Sequence, residues 1–450
     1  MAAARRPARA PIFLLREQVD VDVDGFAAEP GLEWRKIKCA SKRAYGCGEH
    51  AKKALEGLTL YVRPGDESLL NYTLAIRMTD EARRGFESEL NLIHRLKDTR
   101  VCHHFICPRK DTPCYQTIAT GIVQIADYQG LIVIFLLFRR DFGAELAYYL
   151  VYDLCTASLC LIQQAPDVVE AVCSIKPVAK RNASNDFELF VMACQLSSVP
   201  RHFLCACTPE TRANAASDGT GPWQVMKQPF QLEEIDESFS AHLVFSFKSM
   251  GIWADLSRGL MYCDLDSSDD VDFGFIQLPQ ECLLDMMQEE MAEKVTSQPM
   301  EVTRTMGCVR NSISFVCIDP AEEYANDLVK MWTLNLPHGR MKDAQWKKVR
   351  EARVSELWRF DRFKEAGLPE GPLEYPVLTA DGGLCVVVSD QSKFPGPYQG
   401  VQLDDICIFD MRLKRLRWHG LAHDYRFINS VVSASIYPQF PPKEARQAPS

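Results

Sequence analysis

The densest run of metal-grade side chains is Cys102-His103-His104-Phe105-Ile106-Cys107, followed by Cys114. Thiolate and imidazole are the ligands zinc prefers, and four of them on one short loop can close a tetrahedral site. Structural zinc sites draw on tight ligand pairs, whereas here four residues separate Cys102 from Cys107 and six separate Cys107 from Cys114. A strand from Val101 to Cys107 is the competing arrangement, and it places Cys102 and His104 on one face. Both arrangements stay open for Cys102, His104, Cys107 and Cys114, and no metal ligand is assigned.

Other candidate chemistry is thinner. Cys47-Gly48-Glu49-His50 offers a nucleophile and a base, but no third group to orient the base and only a Gly-rich loop to hold it. Cys205 and Cys207, two apart in a strand, share one face and are expected in the core. The acidic run from Asp264 to Asp272 resembles a cation loop, but lacks the Gly at its sixth position and the Glu at its twelfth that a calcium hand needs. It is expected to be a polar hairpin turn, and the basic run from Arg412 to Arg417 is expected to be solvated charge in another. Phosphate-loop, Gly-x-Ser-x-Gly and His-Glu-x-x-His patterns are missing from the sequence. No catalytic or cofactor-binding residue is therefore assigned, and no cofactor is expected.

Composition narrows the partner classes. The 450 residues carry a net charge of -9, which argues against general nucleic-acid binding, since phosphate neutralisation needs a basic face. The longest apolar run, Leu131 to Phe138, is eight residues; a membrane-spanning helix takes about 20, so membrane insertion is not expected. Seventeen scattered cysteines with no Cys-x-x-Cys predict reduced, buried thiols packed as small hydrophobes. A cytoplasmic or nuclear location follows. The four arginines among the first sixteen residues leave organelle targeting as an alternative.

The elements around these residues read as β. Strands are expected at Leu58 to Val62, Tyr72 to Met78, Ile122 to Ile125, Leu131 to Phe138, Tyr148 to Tyr152, Phe187 to Ala193 and Phe203 to Cys207. Further along they are expected at His242 to Phe247, Gly259 to Cys263, Ser312 to Ile318, Leu328 to Leu334, Leu384 to Val388 and Asp405 to Asp410. Turn chemistry such as Ala380-Asp381-Gly382-Gly383 separates them. One hairpin recurs: an apolar strand ending near Asp or Thr, a polar turn, and a second strand. It is seen at Leu150–Asp153 to Leu161, Leu260–Asp264 to Leu278, Val329–Thr333 to Trp346 and Ile406–Asp410 to Trp418. With Thr208 included, the anchors lie 55, 56, 69 and 77 residues apart, against about 50 for kelch-type blades. Because Thr replaces Asp at two anchors, the position reads as a strand-end cap rather than a ligand.

Three segments are expected to be helical inserts: Thr79 to Leu96, Glu281 to Val295 with Leu284, Met287 and Met291 on one face, and the charged stretch Trp346 to Glu365. Gly46 to Ala51 is expected to be a loop, and Tyr437 to Ser450 a disordered tail.

Three runs in order are distinctive in combination: Trp253-Ala-Asp-Leu-Ser-Arg-Gly-Leu-Met-Tyr-Cys-Asp264, Gly274-Phe-Ile-Gln-Leu-Pro279 and Arg304-Thr-Met-Gly-Cys-Val-Arg-Asn-Ser-Ile-Ser-Phe-Val316. With Val329-Lys-Met-Trp-Thr-Leu334, Gly367-Leu-Pro369 and Tyr375-Pro-Val-Leu-Thr379, the order resembles the plant domain of unknown function numbered sixteen-eighteen, a family expanded in grasses. That resemblance implies a β-propeller similar to the β-repeat regions that follow F-boxes, and it brings no activity, cofactor or site residue. The expected fold is all-β dominated and β-propeller-like, with kelch-like blades, about six to eight of them, and a few helical inserts. The expected organisation is 1–115 as N-terminal strands with a helical insert in the same propeller, 116–249 as central blades, 250–390 as the family signature region, 391–436 as the last blade and 437–450 as the tail. The expected function is a non-catalytic protein-interaction module with a protein partner; the alternative is an enzyme with its site in the central channel.

Overall fold

The computed structural model describes residues 12–22, 34–64, 71–101, 117–126, 129–139, 145–164, 171–172, 176–195, 201–217, 221–226, 239–266, 273–283, 299–337, 340–389, 403–423 and 428–433. Strands dominate, and every strand expected from the sequence is present.

The strands form five hydrogen-bonded sheets among the described residues, and the largest, of eleven strands, divides at Gln18–Asp22 into two blade-like parts, sheets 1 and 2. Sheet 1 runs, in spatial order, through Ile428–Ser433, Ile12–Arg16, Asn71–Met78, Leu58–Pro64 and Arg35–Lys36. Sheet 2 is Ile118–Ala126, Leu131–Arg139, Glu145–Asp153 and Ser158–Gln163, with Ser41–Tyr45 added in parallel. Gln18–Asp22 pairs with Asn71–Met78 and with Ile118–Ala126, bridging the two. In sheet 3, Ala171–Val172 and Val178–Arg181 both pair with Phe187–Gln195, followed by Arg201–Cys207 and Gln224–Val225. The remaining sheets are four-stranded antiparallel meanders. Sheet 4 is Leu243–Phe247, Met250–Asp255, Gly259–Asp264 and Phe273–Gln277. Sheet 5 is Arg304–Val309, Ser312–Asp319, Leu328–Asn335 and Gln345–Arg353. Sheet 6 is Leu373–Leu378, Leu384–Val388, Leu403–Asp410 and Arg415–His423.

Period-two alternation closes these sheets into a ring. In Leu131–Arg139, Ile132, Ile134 and Leu136 pack toward sheet 1 with Leu74 and Ile76. Leu131, Val133 and Phe135 of the same strand pack toward sheet 3 with Leu189 and Val191. A strand buried on both faces reads as an unbroken apolar run, which is what the sequence shows there. The pattern then advances sheet by sheet. Phe190 and Met192 meet Trp253 and Met261, Ile252 and Leu260 meet Ile313 and Phe315, and Val316 and Val329 meet Val386 and Phe409. Finally Val387 and Ile406 of sheet 6 meet Leu14 of sheet 1. Six apolar seams thus join six sheets, the last to the first. Burying one such side chain contributes about 1.5–3 kcal/mol relative to exposure.

The inner edge of each sheet faces the axis. Ile118–Ala126 touches Ile428–Ser433, Val178–Arg181 touches Leu243–Phe247, and Arg304–Val309 touches both Leu243–Phe247 and Leu373–Leu378. This is a propeller-like fold. The recurring hairpins are the third and fourth strands of sheets 2, 4, 5 and 6. The Asp anchors act as turn caps: Asp153 Oδ1 accepts the Cys155 N–H at 2.9 Å, Asp264 Oδ1 accepts that of Asp266 at 3.1 Å, and Asp410 Oδ1 accepts those of Arg412 and Leu413 at 3.1 and 2.9 Å.

The helical expectations divide. Thr79 to Leu96 corresponds to the helix Asp80–Val101, whose Ala82, Phe86 and Leu90 fill the seam between sheets 1 and 2. Glu281 to Val295 lies mostly outside the described residues, as do its Leu284, Met287 and Met291; only the short 3-10 turn Gln280–Cys282 marks its start. The stretch Trp346 to Glu365 is corrected. Gln345–Arg353 is the outer strand of sheet 5, paired with Leu328–Asn335 from Leu328↔Arg353 to Asn335↔Gln345, and helix is confined to Val354–Leu357. An outer edge strand exposes its side chains, so it carries the Lys, Arg and Glu that otherwise suggest a solvated helix. Gly46 to Ala51 is corrected too: Glu49–Glu56 is a helix burying Ala51, Ala54 and Leu55. Glu89 Oε1 accepts the His50 and Ala51 N–H groups at its start, at 3.1 and 3.4 Å. Gly48 permits that approach, since a Cβ there would collide with the Glu89 carboxylate. The tail from Tyr437 lies outside the described residues.

Candidate functional site

Several of the residues singled out for chemistry that the structure describes serve packing and turns. Val101 ends the helix Asp80–Val101, while Cys102, His104, Cys107 and Cys114 lie outside the described residues. Among the described residues, no three His, Cys, Asp or Glu groups are placed to hold a metal ion. The Cys47 thiol donates to the carbonyl oxygens of Tyr45 and Leu161 at 3.3 and 3.6 Å, and burial pushes it up to about 12. A thiol in that state supplies almost no thiolate at neutral pH. Cys205 and Cys207 share the face packed on sheet 2, and burial raises them to about 12 and 11. Of the acidic run, Asp264 caps its turn and Asp266 pairs with the buried Lys180 of sheet 3.

One cluster has the composition of a hydrolase triad without its wiring. Asp255 is buried at 1% exposure, and His242 Nδ1 stands 3.7 Å from its Oδ1. Ser257 Oγ donates to Asp255 Oδ1 at 2.5 Å rather than to the imidazole, and His242 Nδ1 accepts the Leu256 N–H at 3.2 Å. A nucleophile must hand its proton to the base; here both side chains tie down a turn.

The structure instead brings together residues that are far apart in the chain, in a cleft of about 500 Å³ between sheets 5 and 6. In an antiparallel meander, the turn after the first strand and the turn after the third emerge at the same end. The cleft lies at that end, between the turns at Val309–Ser312 of sheet 5 and at Asp381–Gly382 and Asp410–Arg412 of sheet 6. The two walls are tied: Arg310 N–H donates to the Ala380 carbonyl at 2.9 Å, and Arg310 Nη2 to that of Asp381 at 3.4 Å. Gly382 turns the chain at φ +91°, a conformation that favours glycine.

The cleft is rich in arginine. Arg310, Arg350, Arg412 and Arg417 line it, with Asp381 and Asp410 as its carboxylates. Arg417 Nη2 pairs with Asp381 Oδ2 at 2.6 Å, so the basic run is not merely solvated charge. The Arg417 and Thr379 hydrogen bonds hold the Asp381 carboxyl down at about 2. That pKa has a consequence. A carboxyl at about 2 when folded and about 3.9 when unfolded adds stability that is complete above pH 4 or so and disappears as pH falls through the folded value. The thermal-midpoint gap between wild type and Asp381→Asn is therefore expected to narrow from about pH 4 to pH 2. A gap unchanged over that range in calorimetry would show that the ion pair does not contribute.

Residues 253–386 match the model of the family described as Protein of unknown function (DUF1618). The matched segment runs from the second strand of sheet 4 to the second strand of sheet 6. It holds the cleft lining except for the part from Asp410 to Arg417. No curated protein matches the chain. Among solved structures, the chain is similar to the WD40 domain of SCAP from fission yeast, at 12% identity over 72% of this chain and 68% of that one, with a TM-score of 0.28. It is also similar to a mutant of NanB sialidase from Streptococcus pneumoniae, at 9% identity over 72% of this chain and 42% of that one, with a TM-score of 0.26. Both superpositions are too loose to bear on fold or function. Among the described residues, no helix is long and apolar enough to cross a membrane.

Proposed function

We propose that this protein is a non-catalytic protein-interaction module, and that its partner docks at the cleft between sheets 5 and 6. The observation that carries the proposal is the juxtaposition of four arginines with exposed apolar groups. Val349 lines the cleft at 52% exposure and Leu413 stands beside it, in the Asp410–Arg415 turn, at 49%. Arginine and solvent-exposed apolar side chains on a rigid rim are the composition from which binding hot spots are built.

The broader reading is of one kelch-like propeller of plant origin acting in the cytoplasm or nucleus, with 253–386 as its family segment. Its described cysteines are free thiols, as a reducing compartment would keep them.

The test is photo-crosslinking from Val349 in tissue extract, followed by capture of the crosslinked partner with a Val349→Asp/Arg412→Glu variant. Recovery is expected to fall about tenfold or more, the scale of a 1.4 kcal/mol loss, at an unchanged thermal midpoint. Equal recovery by the folded variant would rule out the cleft as the docking surface.

A further inference from the structure

A β-bulge gives the cleft its deepest positive charge. Along Gln345–Arg353 the register passes from Trp332↔Lys348 to Met331↔Arg350, leaving Val349 as the extra residue. In a regular strand Lys348 and Arg350 would share a face; an inserted residue sends them to opposite faces. Lys348 accordingly lies over the Trp332 ring at 5.0 Å and pairs with Glu281 at 2.8 Å, on the side of sheet 4. Arg350 lines the cleft toward sheet 6, and its Nη1 is buried with no hydrogen-bond partner. A buried guanidinium nitrogen without an acceptor is costly, and a water, an ion or a ligand oxygen entering the cleft would satisfy it.

The cleft's own carboxylates do not supply that acceptor. Asp381 is committed to Arg417 and Thr379, and Asp410 Oδ1 to the backbone N–H groups of Arg412 and Leu413. Four arginines against two aspartates leave two positive charges in excess, on a chain whose net charge is -9. Among the described residues, Arg310, Arg350 and Arg412 have no carboxylate partner, and they come from three different walls: a turn of sheet 5, its outer strand and a turn of sheet 6. Three guanidiniums lining one cleft from separate walls suit a tetrahedral group with three terminal oxygens better than a planar carboxylate. Met331, Leu378 and Met411 supply an apolar wall beside them.

We propose that this cleft binds a phosphomonoester dianion borne on an apolar group, with Arg350, Arg310 and Arg412 as its ligands. The proposal rests on the docking reading above, and the intended source is a phosphorylated side chain of the partner.

The probe is phenyl phosphate, titrated calorimetrically into the full chain, with benzoate as the planar comparator and a phosphotyrosine pentapeptide as the macromolecular source. Phenyl phosphate is expected to bind and benzoate to bind at least about tenfold more weakly. Arg350→Gln is expected to weaken phenyl phosphate binding about tenfold or more with an unchanged thermal midpoint. Affinity is expected to fall as pH drops from 7.5 toward 5.5, because the second phosphate proton returns near pH 6. A phosphopeptide that binds tighter than phenyl phosphate assigns the source to a protein; one that binds no tighter assigns it to a free small molecule, and either supports the phosphomonoester site. The proposal is overturned by no binding at about 10 mM probe (a Kd beyond the weak limit of specific recognition), by equal affinity for benzoate, or by an unaltered Arg350→Gln isotherm. If phenyl phosphate does not bind while partner capture still depends on Val349 and Arg412, docking stands and the phosphate site falls. If the probe binds while capture is insensitive to those residues, docking falls and the phosphate site stands.

Discussion

A chain ending at His423 is expected to lose cooperative folding altogether. The strand removed, Ile428–Ser433, is the innermost strand of sheet 1 and pairs with Ile12–Arg16 from Ile12↔Ser433 to Arg16↔Ile428. The end of the chain is thus built into a sheet made otherwise from its beginning. Sheets 2 to 5 are covered on both faces by their neighbours in sequence, but the seam between sheets 6 and 1 depends on this closure. From sheet 1, Leu14, at 0% exposure, joins the buried cluster of Cys385, Val387, Ile406 and Ile408. Opening the seam bares an unpaired strand edge at Ile12–Arg16 and an apolar face of sheet 6, the features that lead to aggregation. Set against a total stability of about 5–15 kcal/mol, that loss is too large to absorb. The truncated protein is expected to melt without a sharp transition and to bind a hydrophobic dye strongly. A milder probe of the same seam is Leu14→Ala, expected to cost about 2–5 kcal/mol in urea unfolding. A truncated chain melting sharply at the wild-type midpoint would mean that the strand does not close the ring.

That closure illustrates what the sequence can and cannot disclose. The strands are legible because both-face burial leaves long runs of Val, Ile, Leu and aromatic residues, as in Leu131–Arg139. The repeat is legible because in sheets 2, 4 and 6 the third and fourth strands share a turn that an Asp side chain caps, whereas Thr333 of sheet 5 lies inside its strand. The pairing of Ile12–Arg16 with Ile428–Ser433 has no local signature, since its partners lie at opposite ends of the chain. Tight hairpin turns are hard to see because left-handed positions are filled by Ala157, Asn185, Lys248, Arg310 and Lys414 rather than by glycine. The outer strand Gln345–Arg353 reads as helix in the sequence, because exposed charges carry no period that separates an edge strand from a solvated helix. The cleft is illegible for a related reason. Its four arginines come from three separate segments, around Arg310, around Arg350 and from Arg412 to Arg417, and only the ring brings them together.

Among the capping aspartates, Asp153 is set apart by burial, and its removal is expected to be the most damaging single substitution of a polar residue. Asp264 is exposed, while Asp153 is 2% exposed. Beyond capping its own turn, Asp153 reaches from sheet 2 to Arg181 of sheet 3, with Oδ1 and Oδ2 accepting from Arg181 Nη2 and Nη1 at 2.7 and 3.3 Å. Arg181 is itself anchored to the carbonyls of Gln129 and Asn185 at 3.0 and 2.9 Å, so it cannot swing to solvent without breaking those bonds. Asp153→Ala therefore strands a half-enclosed guanidinium, and breaking one side of a buried pair costs about 3–5 kcal/mol. Asp153→Asn keeps an acceptor for the Cys155 N–H and is expected to fall between the two. The decisive variant is the double replacement Asp153→Ala/Arg181→Met, which removes the stranded charge along with its partner. It is expected to be more stable than Asp153→Ala alone by about 1–3 kcal/mol, because much of the single-mutant penalty is the unpaired charge rather than the lost attraction. Urea midpoints of the four proteins measure that coupling. If Asp153→Ala costs less than about 1 kcal/mol, or if the two losses simply add, the pair is not what fastens sheet 2 to sheet 3.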